Sequence, residues 1–160
     1  MAFTIDELGK TSDLTGVITL FRRYADWLEH EYEITPEIHG IGAEIGKLLA
    51  PYTSPDSALI GARTPDGSYV GCIALRRLDG QSCEVKRLFV LPEMRGQRLG
   101  EALVAALIKK ARALGYAQIT LDVGDYQRPA LALYKKCGFQ EVSPKDHISY
   151  LGAVFMAYDL

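Results

Sequence analysis

The chain has 160 residues, 48% of them hydrophobic and 24% charged, enough for one domain that buries roughly 70% of its unfolded surface without help from disulfides or metals. Its 18 Lys and Arg stand against 20 Asp and Glu, a net charge of −2, which excludes a polybasic nucleic-acid or membrane binder but not a local anion site. The longest uninterrupted apolar run, Ala102 to Ile108, falls far short of the roughly 18 residues of a membrane span, and the opening MAFTIDELGK lacks the features of a signal peptide.

Leu14, Val17, Ile18, Phe21, Tyr24, Ala25 and Leu28 recur at three- and four-residue spacing, which predicts a helix from Ser12 to about Glu31 with Ser12 as N-cap. A second helix is expected after Pro36, with Ile38, Ile41, Ile45, Leu48 and Leu49 on one side. Gly40, Gly42 and Gly46 weaken it, each by up to about 1 kcal/mol relative to Ala. From Ala58 the pattern turns to strands. Ala58–Arg63 and Tyr69–Arg76 flank the turn Thr64-Pro65-Asp66-Gly67, and Asp79-Gly80 marks a second hairpin into Ser82–Leu91. In that third strand Cys83 and Val85 share one parity, whereas Leu88 and Val90 fall on the other. Either a β-bulge lies near Lys86 or Arg87, or one end of the strand is buried on both faces.

Leu99 to Leu114 is the strongest helix. Its apolar residues cover more than one face, Lys109, Lys110 and Arg112 complement the dipole at its end, and Gly115 stops it. A strand Gln118–Val123, a helix Pro129–Cys137 stopped by Gly138, and a strand Ala153–Leu160 complete the order. The elements predict an α/β fold with a mixed sheet, in one domain over residues 1–160. Cys72, Cys83 and Cys137 are odd in number with no CxxC, and His30, His39 and His147 are scattered. A reduced, cytoplasmic protein without a metal is expected.

Arg95-Gly96-Gln97-Arg98-Leu99-Gly100 joins the irregular strand to the most buried helix. A glycine-containing turn at a helix N-terminus presents unpaired N–H groups and the positive end of the dipole, and here it adds two arginines. The spacing fits neither the P-loop nor the G-x-G-x-x-G dinucleotide fingerprint. The whole stretch from Glu84 to Gly100 resembles the acetyl-coenzyme A motif of the GNAT superfamily of N-acetyltransferases, Arg/Gln-x-x-Gly-x-Gly/Ala after a strand ending in hydrophobic-Val-x-Pro. Ala130, Leu133, Tyr134, Gly138 and Phe139 resemble the family's A-x-x-L-Y-x-x-x-G-F block, in the family's order and spacing. Arg98 stands where the family usually has its first glycine, and Gln127 where Asn is common.

The resemblance implies a GNAT-like fold, a mixed, mostly antiparallel central sheet flanked by helices, and an acetyl-CoA-dependent acyltransferase with no metal. It puts the pyrophosphate on the backbone N–H groups from Gln97 to Glu101, around Arg95, Gly96, Arg98, Leu99 and Gly100. The pantetheine arm is expected to pair with the main chain of Leu88, Phe89 and Val90, and the oxyanion to meet an N–H near Phe89 or Val90. A lysine-like amine costs about 4–5 kcal/mol to deprotonate at pH 7, so a base is useful, and the family context selects Glu84. It also makes Tyr134 the general acid at the departing sulfur, although the same residue fits an ordinary core stripe. Asp122, Asp125, His147, Arg22 and Arg23 are weaker candidates for the acceptor side, and Lys135 and Lys136 for the CoA 3′-phosphate. The acceptor, a small-molecule or peptide amine, stays open among amino acids, polyamines, aminoglycoside-like drugs and protein N-termini. No nucleic acid or membrane partner is expected, and a homodimer is common in the family. The rival reading is a domain of the same fold that binds acyl-CoA as a sensor or interaction module without turnover.

Overall fold

The computed structural model of the protein describes residues 2–34, 40–143 and 152–160. Thr4–Leu8 forms β1, Thr15–Tyr32 α1 and Ile41–Gly46 a short α2. Ala58–Arg63, Tyr69–Arg77 and Ser82–Val90 are β2, β3 and β4, followed by Leu99–Ala113 as α3 and Gln118–Gly124 as β5. Arg128–Lys136 is α4, and Gln140–Glu141 and Ala153–Asp159 are β6 and β7.

These strands make one seven-stranded sheet in the order β1-β2-β3-β4-β5-β7-β6. Short hairpins keep β2, β3 and β4 antiparallel, whereas β4 and β5 run parallel because α3 carries the chain back along the sheet. A methyl group added at Gly71 of β3 would lie 3.0 Å from Leu103 Cδ1, so α3 rests directly on that face. Leu99, Leu103, Val104, Leu107, Ile108 and Ala111 of α3 are buried, as its broad apolar surface requires. The opposite face carries α1, whose Val17, Leu20, Phe21 and Leu28 are buried.

The expected mixed α/β sheet is present, with boundary changes. Residue Ser12 is not the N-cap of α1. The helix begins at Thr15, whose N–H is accepted by Asp13 Oδ1 at 3.0 Å, while Ser12 Oγ accepts the Gly9 N–H in the preceding turn. The second predicted helix is confined, among the described residues, to Ile41–Gly46; Pro36 and Ile38 lie outside them. Leu48 and Leu49, expected to extend it, instead take left-handed conformations at φ 52° and 59° and turn the chain. Leu49 is buried and Leu48 exposed. Two strands were not expected. β1 is a polar edge strand, and β6 has two residues. Among the described residues no helix is long and apolar enough to cross a membrane.

Candidate active site

The site begins where the sheet opens. β4 pairs with β5 only through Ser82, Glu84 and the residue between them, against Gln118–Thr120. Beyond Glu84, β4 runs on along β3 alone. There the register jumps: Ala74 faces Lys86 but Cys72 faces Phe89, leaving Arg87 and Leu88 together opposite Ile73. This is the bulge that the parity change allowed, and Ser82–Val85 before it is also buried throughout.

Arg87 occupies the bulge at φ 61°, a left-handed conformation that usually falls to glycine and costs other residues about 1–2 kcal/mol. Its side chain is held. Nε and Nη2 donate to Glu44 Oε1 and Oε2, each at 2.8 Å, and Tyr52 Oη donates to Glu44 Oε2 at 2.8 Å. Only 12% and 14% of the Arg87 and Glu44 side chains are exposed. Losing one member of such a pair leaves an uncompensated charge, at about 3–5 kcal/mol. The Cys72 thiol donates to the Arg87 carbonyl at 3.3 Å, so the residue is gripped at both ends.

After the bulge, Leu91 N–H donates to Val70 O at 3.0 Å. Alternation along an antiparallel pair therefore turns the N–H and C=O of Val90 away from β3, into the gap that β5 has left. Phe89 faces the other way, and its N–H lies against the Cys72 sulfur. Of the two N–H groups expected for the oxyanion, Val90's is the one facing the gap.

The chain then turns through Pro92–Met94 into α3. Gly96 is left-handed at φ 86° with no atom within 4 Å of where a Cβ would sit. Arg98 is left-handed at φ 61°, which explains why glycine is common at its position. The helix's own bonding starts with Ala102 N–H to Arg98 O at 3.1 Å, so the N–H groups of Leu99, Gly100 and Glu101 point out of the first turn. Gly100 also serves packing: a methyl there would come within 2.8 Å of Leu133 Cδ2 on α4. The Lys136 ammonium, 2.5 Å from Glu101 Oε1, holds that carboxyl below its usual range and offsets its charge beside the loop. Gln97 Oε1 is buried without a hydrogen-bond partner.

A groove of about 350 Å³ runs over these groups. Leu88, Phe89, Val90, Arg95, Gly96, Arg98, Leu99, Gly100 and Glu101 all line it, so of the expected cofactor residues only Gln97 stands behind the wall. Gln127 lines it too, beside Ala130 and Leu133 of α4. Arg95 is exposed and lies over the groove wall. Its guanidinium stacks 4.7 Å from the Trp27 ring, and Nε donates to Val90 O at 3.2 Å.

Trp27 and Tyr32, at the C-terminal half of α1, complete the groove and were not singled out in the sequence. Their signal was two large aromatics outside the apolar stripe of α1. Tyr32 reaches the Tyr126 ring of the β5–α4 loop at 4.7 Å. Tyr24 stacks on Phe89 at 4.9 Å and 9°, and burial pushes its phenol up to about 12.

Neither predicted catalytic residue is in the groove wall. Tyr134 is buried on α4, with its ring 5.4 Å from Phe139. Burial raises its phenol far above the ordinary range, and Tyr24, Cys137 and Asp122 add to the effect. Glu84 is buried at the last β4–β5 pair, where its carboxylate accepts from Arg76 Nε and lies 4.0 Å from Lys86 Nζ. Asp122 lies two residues past that pair on β5, at the opening. Three of the weaker candidates are engaged elsewhere: Arg23 pairs with Glu93 at 2.9 Å, Lys135 with Glu141 at 3.2 Å, and Lys136 with Glu101. His147 lies outside the described residues. Burial pushes the Cys72 and Cys83 thiols up to about 12.

Residues 18–139 match the model of the Acetyltransferase (GNAT) family. An uncharacterized N-acetyltransferase of Schizosaccharomyces pombe is 33% identical over 131 residues, covering 81% of this chain and 80% of that protein. A GNAT-family acetyltransferase from Staphylococcus aureus superposes with a TM-score of 0.81 at 20% identity, over 99% of both chains. The PaiA N-acetyltransferase of Thermoplasma acidophilum, solved in complex with coenzyme A, gives a TM-score of 0.75 at 20% identity over the full length of both.

Proposed function

The chain belongs to the GNAT acetyltransferase family and is an acyltransferase, and on that premise we propose that it moves the acetyl group of acetyl-CoA directly onto a primary amine. The observation that carries this reading is the opening between β4 and β5, continuous with an anion-binding helix N-terminus in one groove. The N–H groups from Gln97 to Glu101 hold the pyrophosphate, aided by the α3 dipole and the Arg98 charge. The coenzyme A in the Thermoplasma relative is consistent with such a ligand.

The β4 edge from Leu88 to Val90 accepts the pantetheine arm as an added strand, with the Val90 carbonyl as acceptor for the arm and the Val90 N–H left for the thioester oxygen. Arg95 yields the Val90 carbonyl to that arm. An N–H of the same edge meets the oxyanion that forms when the amine attacks the thioester carbon. Tyr134, kept protonated by its burial, donates toward the departing thiolate across the opening. Glu84 removes the amine proton, directly or through water, from the closed end of the gap. Direct transfer is favoured over an acyl-enzyme because the Cys72 and Cys83 thiols, pushed up to about 12, hold almost no thiolate at neutral pH.

Coenzyme A release, followed over a panel of amino acid, polyamine, aminoglycoside and peptide N-terminal acceptors, tests the reading. It predicts turnover that saturates in acetyl-CoA and falls in Tyr134→Phe and Glu84→Gln. Saturable acetyl-CoA binding without release on any acceptor would point to a non-catalytic acyl-CoA module.

A further inference from the structure

We infer that the Glu44–Arg87 ion pair is a positioning device: it hangs α2 on the β4 bulge and thereby sets the direction of the main chain that meets the thioester. The inference rests on the acetyl-transfer reading above and assigns a task to two residues that reading does not use.

Arg87 sits in a conformation that glycine adopts without strain, at the one residue where β4 changes its pairing. An arginine in that place is explained by what its side chain does. Two parallel 2.8 Å bonds to one carboxylate fix the guanidinium in plane as well as in distance. Tyr52 donates to the same Oε2 that takes Arg87 Nη2, and little water reaches either side chain of the pair, so it is directional in a way that an exposed pair is not. The Cys72 thiol on the Arg87 carbonyl fixes the other end. Side chain and peptide are thus both anchored, and the torsions of Arg87 aim the next residues, Leu88 to Val90, along the groove.

The pair also has a partner element that needs it. α2 is six residues long, contains Gly42 and Gly46, and is followed by two left-handed leucines. Such a segment has little helical stability of its own. Glu44 fastens it to the strand that carries the acyl group, so the wall beside the bulge and the donor edge move as one body. Nε and Nη2 of Arg87 are both committed to Glu44, so the fork of the guanidinium is used inside the fold. Both residues are therefore positioning residues, not catalytic ones.

The test uses acetyl-CoA labelled with carbon-13 at the thioester carbonyl, bound to the full chain and read by isotope-edited infrared spectroscopy. In the wild type the carbonyl band moves to lower wavenumber on binding, as a fixed N–H donor polarises it. Arg87→Gly keeps the left-handed backbone accessible but removes the tether, and Glu44→Gln keeps the shape but removes the charge. In both, the band returns toward its free position and broadens, while acetyl-CoA affinity falls by no more than about tenfold, the worth of that one contact, because the turn that holds the phosphates is untouched. Arg87→Lys, which keeps the charge without the fork, gives an intermediate band. If a single variant does not fold, the double variant Glu44→Leu with Arg87→Met leaves no unpaired charge and carries the same expectation. A wild-type band in the folded variants overturns the positioning role alone. Failure of the wild type to bind acetyl-CoA overturns the acetyl-transfer reading and this inference with it.

Discussion

The two ends of β4 make a controlled comparison within one strand. Ser82 to Glu84 is buried and has neighbours on both edges, β3 and β5. Leu88 to Val90 keeps β3 on one edge and faces an open groove on the other. The ladder to β5 ends at Glu84, and one residue, Arg87, is inserted along β3 before the open stretch begins. A backbone amide left unpaired in a dry interior costs about 1–3 kcal/mol, so an open edge survives only where water or a ligand can reach it. The N–H and C=O of Val90, which the sheet does not pair, are the groups proposed to meet acetyl-CoA.

Variants at the two ends can sharpen or break this contrast. The largest effect is expected from Tyr134→Phe, which removes the donor reaching across the opening: kcat falls about 100-fold. Acetyl-CoA affinity, measured by calorimetry, should not follow it. A parallel loss of affinity would mean that Tyr134 packs the groove without doing chemistry.

Glu84→Gln, at the closed end, should lower kcat by tens of fold near pH 7, a rough figure for the loss of a general base. The deficit should shrink as the pH rises toward the amine's own pKa of about 10.4, where deprotonation no longer needs help. A deficit that is flat from neutral to alkaline pH would assign Glu84 to its ion pair with Arg76 alone.

Val90→Pro removes an N–H that β3 does not use. It should weaken acetyl-CoA binding up to about tenfold, the worth of one net hydrogen bond, while the melting temperature changes little. The same exchange at Phe89, whose N–H faces β3, should lower the melting temperature instead. Equal behaviour at the two positions would break the comparison. The smallest effect is expected from Arg98→Gly, since the turn binds through its backbone: affinity changes by no more than about threefold.

The features legible in the sequence were those with a local pattern. The parity change between Val85 and Leu88 carried the bulge, and the glycines and arginines from Arg95 to Gly100 marked the turn into α3 that is proposed to hold the pyrophosphate. β1 was invisible because TIDEL has no apolar alternation. It is held as an edge by pairing with β2 and by Arg63 on Asp6 at 2.6 Å, a partner 57 residues away. The start of α1 was misplaced because Ser12 and Asp13 are both capping types, and only the backbone decides between them. The purpose of Gly100 was readable only as a generic glycine until Leu133 was seen against it. Glu44 carried no signal at all, since its role depends on Arg87, 43 residues on, and on Tyr52. Trp27 and Tyr32 were likewise not singled out, because only the fold brings the C-terminal half of α1 to the border of the groove.

Amide hydrogen exchange with and without acetyl-CoA tests the central claim most directly. The account predicts that the Val90 amide exchanges readily in the free protein and becomes strongly protected on binding, together with amides from Gln97 to Glu101, while the buried amides of Cys83 and Val85 hardly change. Saturable acetyl-CoA binding that leaves the exchange of Val90 unaltered would contradict it.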